Sequence, residues 1–268
     1  MTSEARYLRH LAAYKQDLEW WRVRASRKEE PQPGSELHED DQVFVYDRIS
    51  DTARLSLSLA GEHLRFAWTG IEAGQLYPSA HFTTIRGALV AASQALYILG
   101  PEDSQTRRGR GLAVIHEAYR NLKNFHEGTR TLPDLTESEA QQLEDHVKWI
   151  GSRMSYAKAA GADKKGFKLT DDVVPYAANL VYGSSPGKKH AALSLWRQMS
   201  GDAHALGWPM KLRGTVGPPQ RGELLSDGTA QGSLKDIAEP FELSYRLLKR
   251  GWSLFDQRGE AGERPSQL

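Results

Sequence analysis

Apolar residues return at helical spacing along nearly all of this chain, while the alternating, β-branched runs that mark strands are almost missing. A chain patterned this way buries its apolar stripes by packing helix against helix. The expectation is an all-α protein, a bundle of about seven or eight helices making a single domain over residues 1–268. With 39% hydrophobic and 26% charged residues, it has the composition of a chain with a packed core.

The first helix is expected over about Ser3–Arg27, on the stripe Tyr7, Leu11, Tyr14, Leu18 and Trp21. The proline-rich stretch Lys28–Gly34 breaks it, so residues 1–34 read as an N-terminal helix followed by a mobile loop. Gln42–Tyr46 alternates briefly but leads into Ile49, Ala53, Leu57, Ala60, Leu64 and Trp68, and reads as the start of a long second helix. The third, from Ser79 to about Leu99, carries only His81 and Arg86 among Gly, Ala, Leu, Val and Ile and belongs at the centre of a bundle. Arg86 must then snorkel outward or pair with a buried acid, and a role as a second active-site arginine stays open.

A fourth helix is expected over about Ser104–Glu127, opening with Arg107, Arg108 and Arg110. Thr136 and Glu139 have the spacing of a capping box and fix the start of a fifth, about Glu137–Ala160. A short helix near Asp171–Tyr182 holds Pro175 in its first turn, and two more are expected at about Lys188–Leu206 and Ser233–Asp256. The Gly- and Pro-rich residues 207–232 between these last two read as a long loop, either a functional flap or disordered, and 259–268 read as a disordered tail.

Several function classes drop out. The formal charge is +1, so any site for a polyanion must be local. There is no cysteine, which removes disulfides and thiolate chemistry and suits a reducing cytoplasm. The N-terminus interleaves charges with apolar residues unlike a signal peptide, and no window approaches the roughly 20 apolar residues of a spanning helix, so a cytoplasmic protein without a membrane partner is expected. His116 and His126 do not share a helix face, and Gly183–Lys188 lacks the spacing of a phosphate loop. No metal and no cofactor are expected. Trp68, Trp149, Trp196 and Trp252 fall on apolar stripes and read as core.

One helix divides sharply. At about 100° per residue, Ala192, Leu195, Trp196, Met199, Ala203 and Leu206 fall on one side of Lys188–Leu206, while His190, Ser194, Arg197, Gly201 and His204 gather on the other. A mid-helix glycine costs about 1 kcal/mol relative to alanine, so Gly201 implies a close approach by a ligand or another helix. Arg197 and His204 stand roughly 10 Å apart along the axis, within reach of one shared anion. Arginine grips phosphate, and histidine exchanges a proton near neutral pH, which is a minimal pair for cleaving a phosphodiester without metal. His190, Ser194 and Gly201, with the basic residues Arg107, Arg108, Arg110, Lys188 and Lys189, are candidate phosphate contacts. Further basic clusters at Lys164, Lys165 and Lys168 and at Lys211 and Arg213 could join a groove if the fold gathers them.

The run Arg197–His204, after Leu195-Trp196 and before Trp208, resembles two groups. With Pro78–Leu99 it is similar to a set of actinobacterial all-helical proteins. It also resembles the HEPN superfamily (higher eukaryotes and prokaryotes nucleotide-binding), marked by an arginine followed four to six residues later by a histidine on a late helix of an all-α bundle. The gap here is six, and Gln198 stands where those proteins usually carry Asn, Asp or His. The resemblance implies a metal-independent endoribonuclease, commonly a toxin or phage-defence effector. It also implies RNA as substrate, a homodimer with facing Arg197/His204 motifs, and an antitoxin or defence-system partner. The alternative is a non-catalytic interaction or scaffold protein that uses the same helix as a dimer or partner surface. A third reading is a small-molecule enzyme with a pocket covered by residues 207–232.

Overall fold

The computed structural model describes residues 3–163, 165–218 and 228–261. Among them are eleven α-helices and one antiparallel pair of two-residue strands, so the fold is all-α. In chain order the helices are α1 (Ser3–Ala12), α2 (Lys15–Ala25), α3 (Glu36–Asp41), α4 (Ile49–Glu72), α5 (Ala80–Leu99) and α6 (Ser104–Thr129). There follow α7 (Glu137–Ala159), a π turn (Leu169–Val173), α8 (Val174–Tyr182), α9 (Pro186–Ala203), α10 (Trp208–Arg213), strands β1 (Thr215–Val216) and β2 (Gly228–Thr229), and α11 (Leu234–Gly259).

Three helices more than expected arise from local causes. The first stretch breaks at Tyr14, whose ring stacks on Tyr245 at 4.0 Å, and resumes as α2 with its apolar stripe nearly in phase. Gln42–Tyr46 is not helical. Ser35 caps α3 by accepting from the His38 amide, and Asp41 ends it by turning its carboxylate to Ser50, accepting from the amide at 2.8 Å and from the hydroxyl. Asp41 thereby satisfies a donor at the start of α4, and the linker between buries Phe44 while Val45 and Tyr46 stay outside. The third addition, α10, lies in the expected loop 207–232. Nor is Lys28–Gly34 loose: Pro31 is buried, and the Gln32 amide donates to the Gly259 carbonyl at 2.8 Å. The capping box of Thr136 and Glu139 forms as the spacing implies. Most of the expected tail, residues 262–268, lies outside the described residues.

The chain divides into two compact units, one of residues 1–28, 56–96 and 174–252, the other of 29–55, 97–173 and 253–268. In the first, Leu57, Leu64, Ile85, Leu89, Phe241 and Leu248 are among the fully buried side chains. α5 is long and apolar enough to cross a membrane by length and composition, which the sequence reading did not register, and 61% of that window is buried in the protein.

The second unit is organised by buried charge. Asp40 is completely buried and takes Arg107 at 2.7 Å, Arg108 at 2.8 Å and the Ser104 hydroxyl. Arg107, equally buried, adds the carbonyls of Pro101 and Glu102, while Arg258 faces Glu36 and donates to the Leu99 carbonyl at 2.7 Å. Arg107 therefore holds α3 to α6 and is not available as a phosphate contact, which corrects the sequence reading. Trp149 is also corrected. It lies at 43% exposure on the α6–α7 hairpin, where no residue from 120 to 149 is fully buried.

Asp40→Ala should cost about 3–5 kcal/mol in urea unfolding, because it removes the buried carboxylate shared by Arg107 and Arg108 and leaves Arg107 only Glu36 and two carbonyls. A second expectation concerns pH. Burial raises the Asp41 carboxyl above its ordinary value, opposed by the Ser50 hydrogen bonds. An acid easier to protonate folded than unfolded contributes most at low pH and loses that contribution as pH rises through its folded value. Wild type should accordingly lose stability relative to Asp41→Asn as pH rises from about 4 toward neutrality in parallel urea titrations.

Candidate functional site on the ninth helix

Helix α9 starts with Pro186 in its first turn, where the missing amide hydrogen is harmless. Ala192, Trp196 and Met199 are buried along one side, and His190, Ser194, Arg197 and His204 are exposed along the other. The expected division into core and polar faces is present. It stops at His204, the C-cap, because Ala205 turns into the left-handed region at φ 55°. Leu206, expected in the core, falls beyond this turn and is exposed.

Gly201 has the close approach its position implied, and the visitor is a helix. A Cβ built there would lie 2.6 Å from Pro209 Cγ and 2.9 Å from the Trp208 ring. Asp202, next along, pairs with Arg213, whose guanidinium lies 3.5 Å over the Phe82 ring and donates to the Pro209 carbonyl. Burial raises the Asp202 carboxyl and Arg213 opposes the rise. Gly201, Asp202, Pro209 and Arg213 thus seat α10 against the end of α9. Residues 219–227 of the expected loop lie outside the described residues.

Arg86 of α5 reaches this end of α9. Its Nε donates to the Ser200 hydroxyl at 2.9 Å, and Ser200 in turn donates to the Trp196 carbonyl at 2.9 Å. Arg86 is half-buried, and burial pushes its guanidinium below the ordinary arginine value. No carboxylate lies within ion-pairing distance of it among the described residues. It neither snorkels clear nor finds the acid that the sequence reading offered. Ser200, Arg197 and His204 project within an arc of about 60°, so the arginine comes up behind the polar face.

The remaining candidates scatter. Lys188 lies on the opposite side of α9 and lines a cleft there, and Lys189 donates to the Asn179 side chain at 2.9 Å. Arg108 and Arg110 belong to the second unit, the former on Asp40 and the Glu39 carbonyl, the latter over the Tyr97 ring at 4.3 Å. Lys165, Lys168 and Lys211 are exposed, and Lys164 lies outside the described residues. Arg86 stands out in the sequence as one of two charge-bearing residues on α5, but its partner does not. Ser200 stands one turn before His204, but only the fold brings it to a residue 114 positions earlier.

Comparison with protein-family models, with curated proteins and with solved structures finds no match for this chain.

Gly201→Ala adds a methyl group against a proline ring and an indole rather than a yielding chain end. It should lower stability by about 1–3 kcal/mol despite alanine's better helix propensity, and a loss of Trp208 fluorescence anisotropy would show α10 lifting.

Proposed function

We propose that the C-terminal half of α9, backed by Arg86, binds the phosphodiester of RNA and that His204 moves the proton in its metal-independent cleavage. The observation that carries this reading is the half-buried Arg86 guanidinium, which has a neutral hydroxyl and, among the described residues, no carboxylate beside it. A cation partly withdrawn from water is stabilised by an anion, and an anion settling there would meet Arg197 and His204 on the same face. In the step proposed, the His204 imidazole takes the proton of a ribose 2′-hydroxyl. The 2′-oxygen then bonds to phosphorus as the bond to the 5′-oxygen breaks, and the departing oxygen takes a proton from water. Arg86 and Arg197 hold the charge that gathers on the non-bridging oxygens.

A second reading has its own support. Leu206, Trp208, Met210 and Leu212 are all exposed apolar side chains within seven positions around α10, a concentration that suits a protein contact. The same face would then serve a dimer or scaffold, and Arg197→Ala would change association without any chemistry.

Incubating wild type, His204→Ala and Arg86→Ala with cellular RNA in EDTA separates them. Cleavage by wild type, reduced about 10²–10⁴-fold in His204→Ala, supports the nuclease. RNA left equally intact by all three, with Arg197→Ala shifting the elution volume of the protein, would replace it with the interaction reading.

A further inference from the structure

The opposite side of α9 faces a cleft of about 700 Å³ bounded by α1, α8, α9 and α11, within the size range of small-molecule sites. Its floor is apolar, with Ala192 and Leu195 from α9 and Ala238 and Leu243 from α11. Its rim is cationic. Arg6, Lys188 and Lys235 line it, each in the first turn of its helix and none with a carboxylate partner among the described residues.

The charges do not cancel within the cleft. Arg246 joins those three cations, and only Glu239 and Glu242 oppose them, leaving an excess of two positive charges. Glu242 is already engaged by Arg246 at 2.6 Å and by His10 at 2.8 Å. Burial would raise the Glu242 carboxyl, and those two partners together bring it below its ordinary value, so it stays an anion committed to its neighbours. At the end of α8, Tyr182 lines the same cleft with no hydrogen bond to its hydroxyl among the described residues. Burial pushes that hydroxyl up to about 12, so it remains a donor at physiological pH.

We propose that this cleft binds an organic phosphate monoester, with its phosphate against Lys188, Lys235, Arg6 and the Tyr182 hydroxyl and its apolar body on the alanine and leucine floor. A monoester near neutral pH carries about −1.5 to −2, which matches the excess charge. Inorganic phosphate would leave the floor wet, and a neutral apolar molecule would leave the cations unanswered. The site is separate from the polar face: on the helical wheel Lys188, Ala192 and Leu195 lie roughly 120–180° from Arg197 and His204. It stands whether or not α9 cleaves RNA.

Calorimetric titration of the full chain with phenyl phosphate tests this, with inorganic phosphate and phenol as comparisons. Saturable binding is expected, weakened about tenfold or more in Lys188→Glu and in Lys235→Glu and several-fold in Tyr182→Phe. Both lysines are exposed, so these variants should keep the wild-type circular dichroism. Binding should be about tenfold weaker for inorganic phosphate than for phenyl phosphate. Absence of saturable binding, binding indifferent to the charge reversals, or equal affinity for inorganic phosphate would each overturn the proposal.

Discussion

A guanidinium drawn out of water must be met by a carboxylate, by enough carbonyls, or by something that arrives later, because a stranded charge in a low-dielectric surrounding is expensive. The most deeply buried arginines of this protein are each answered by a carboxylate. Arg107 has Asp40 and two carbonyls, Arg258 has Glu36 and the Leu99 carbonyl, and Arg213 has Asp202. Arg86 is the contrast, half-buried with a serine hydroxyl and no acid in reach among the described residues.

Asp202 lies only two positions from Ser200 on α9, yet its carboxylate is directed to Arg213 and seats α10. The acid nearest in sequence to Ser200 is therefore committed elsewhere, and Arg86 is left with the Ser200 hydroxyl. Gly201 permits this arrangement by letting Pro209 and Trp208 approach the α9 backbone. The left-handed turn at Ala205, a conformation that costs roughly 1–2 kcal/mol outside glycine, ends the helix directly after His204 and leaves that ring on the rim.

Much of this was legible in the sequence, and the rest was hidden for physical reasons. Helix type followed from periodicity, α7 from the Thr136 and Glu139 pair, the buried α5 from its lack of charge, and the two faces of α9 from a wheel, while the count fell three short of the eleven described. The break at Tyr14 left the apolar stripe nearly in phase and so was invisible to periodicity. The non-helical stretch after Asp41 depends on a carboxylate reaching a residue nine positions on. Arg107 looked like part of a basic surface patch because its counterion is 67 positions away. Arg86 was conspicuous in the sequence, but that it lacks a counterion is a fact about its surroundings, which only packing decides.

If Arg86 binds an anion beside Arg197 and His204, its guanidinium should respond to one directly. The most direct measurement follows the Arg86 Nε–H resonance by NMR during titration with dimethyl phosphate, a phosphodiester without bases or sugar. A saturable shift of that resonance, lost in Arg197→Ala and accompanied by movement of the His204 ring signals, is the expected result. An Arg86 signal that stays fixed while dimethyl phosphate perturbs only scattered surface lysines would contradict the account.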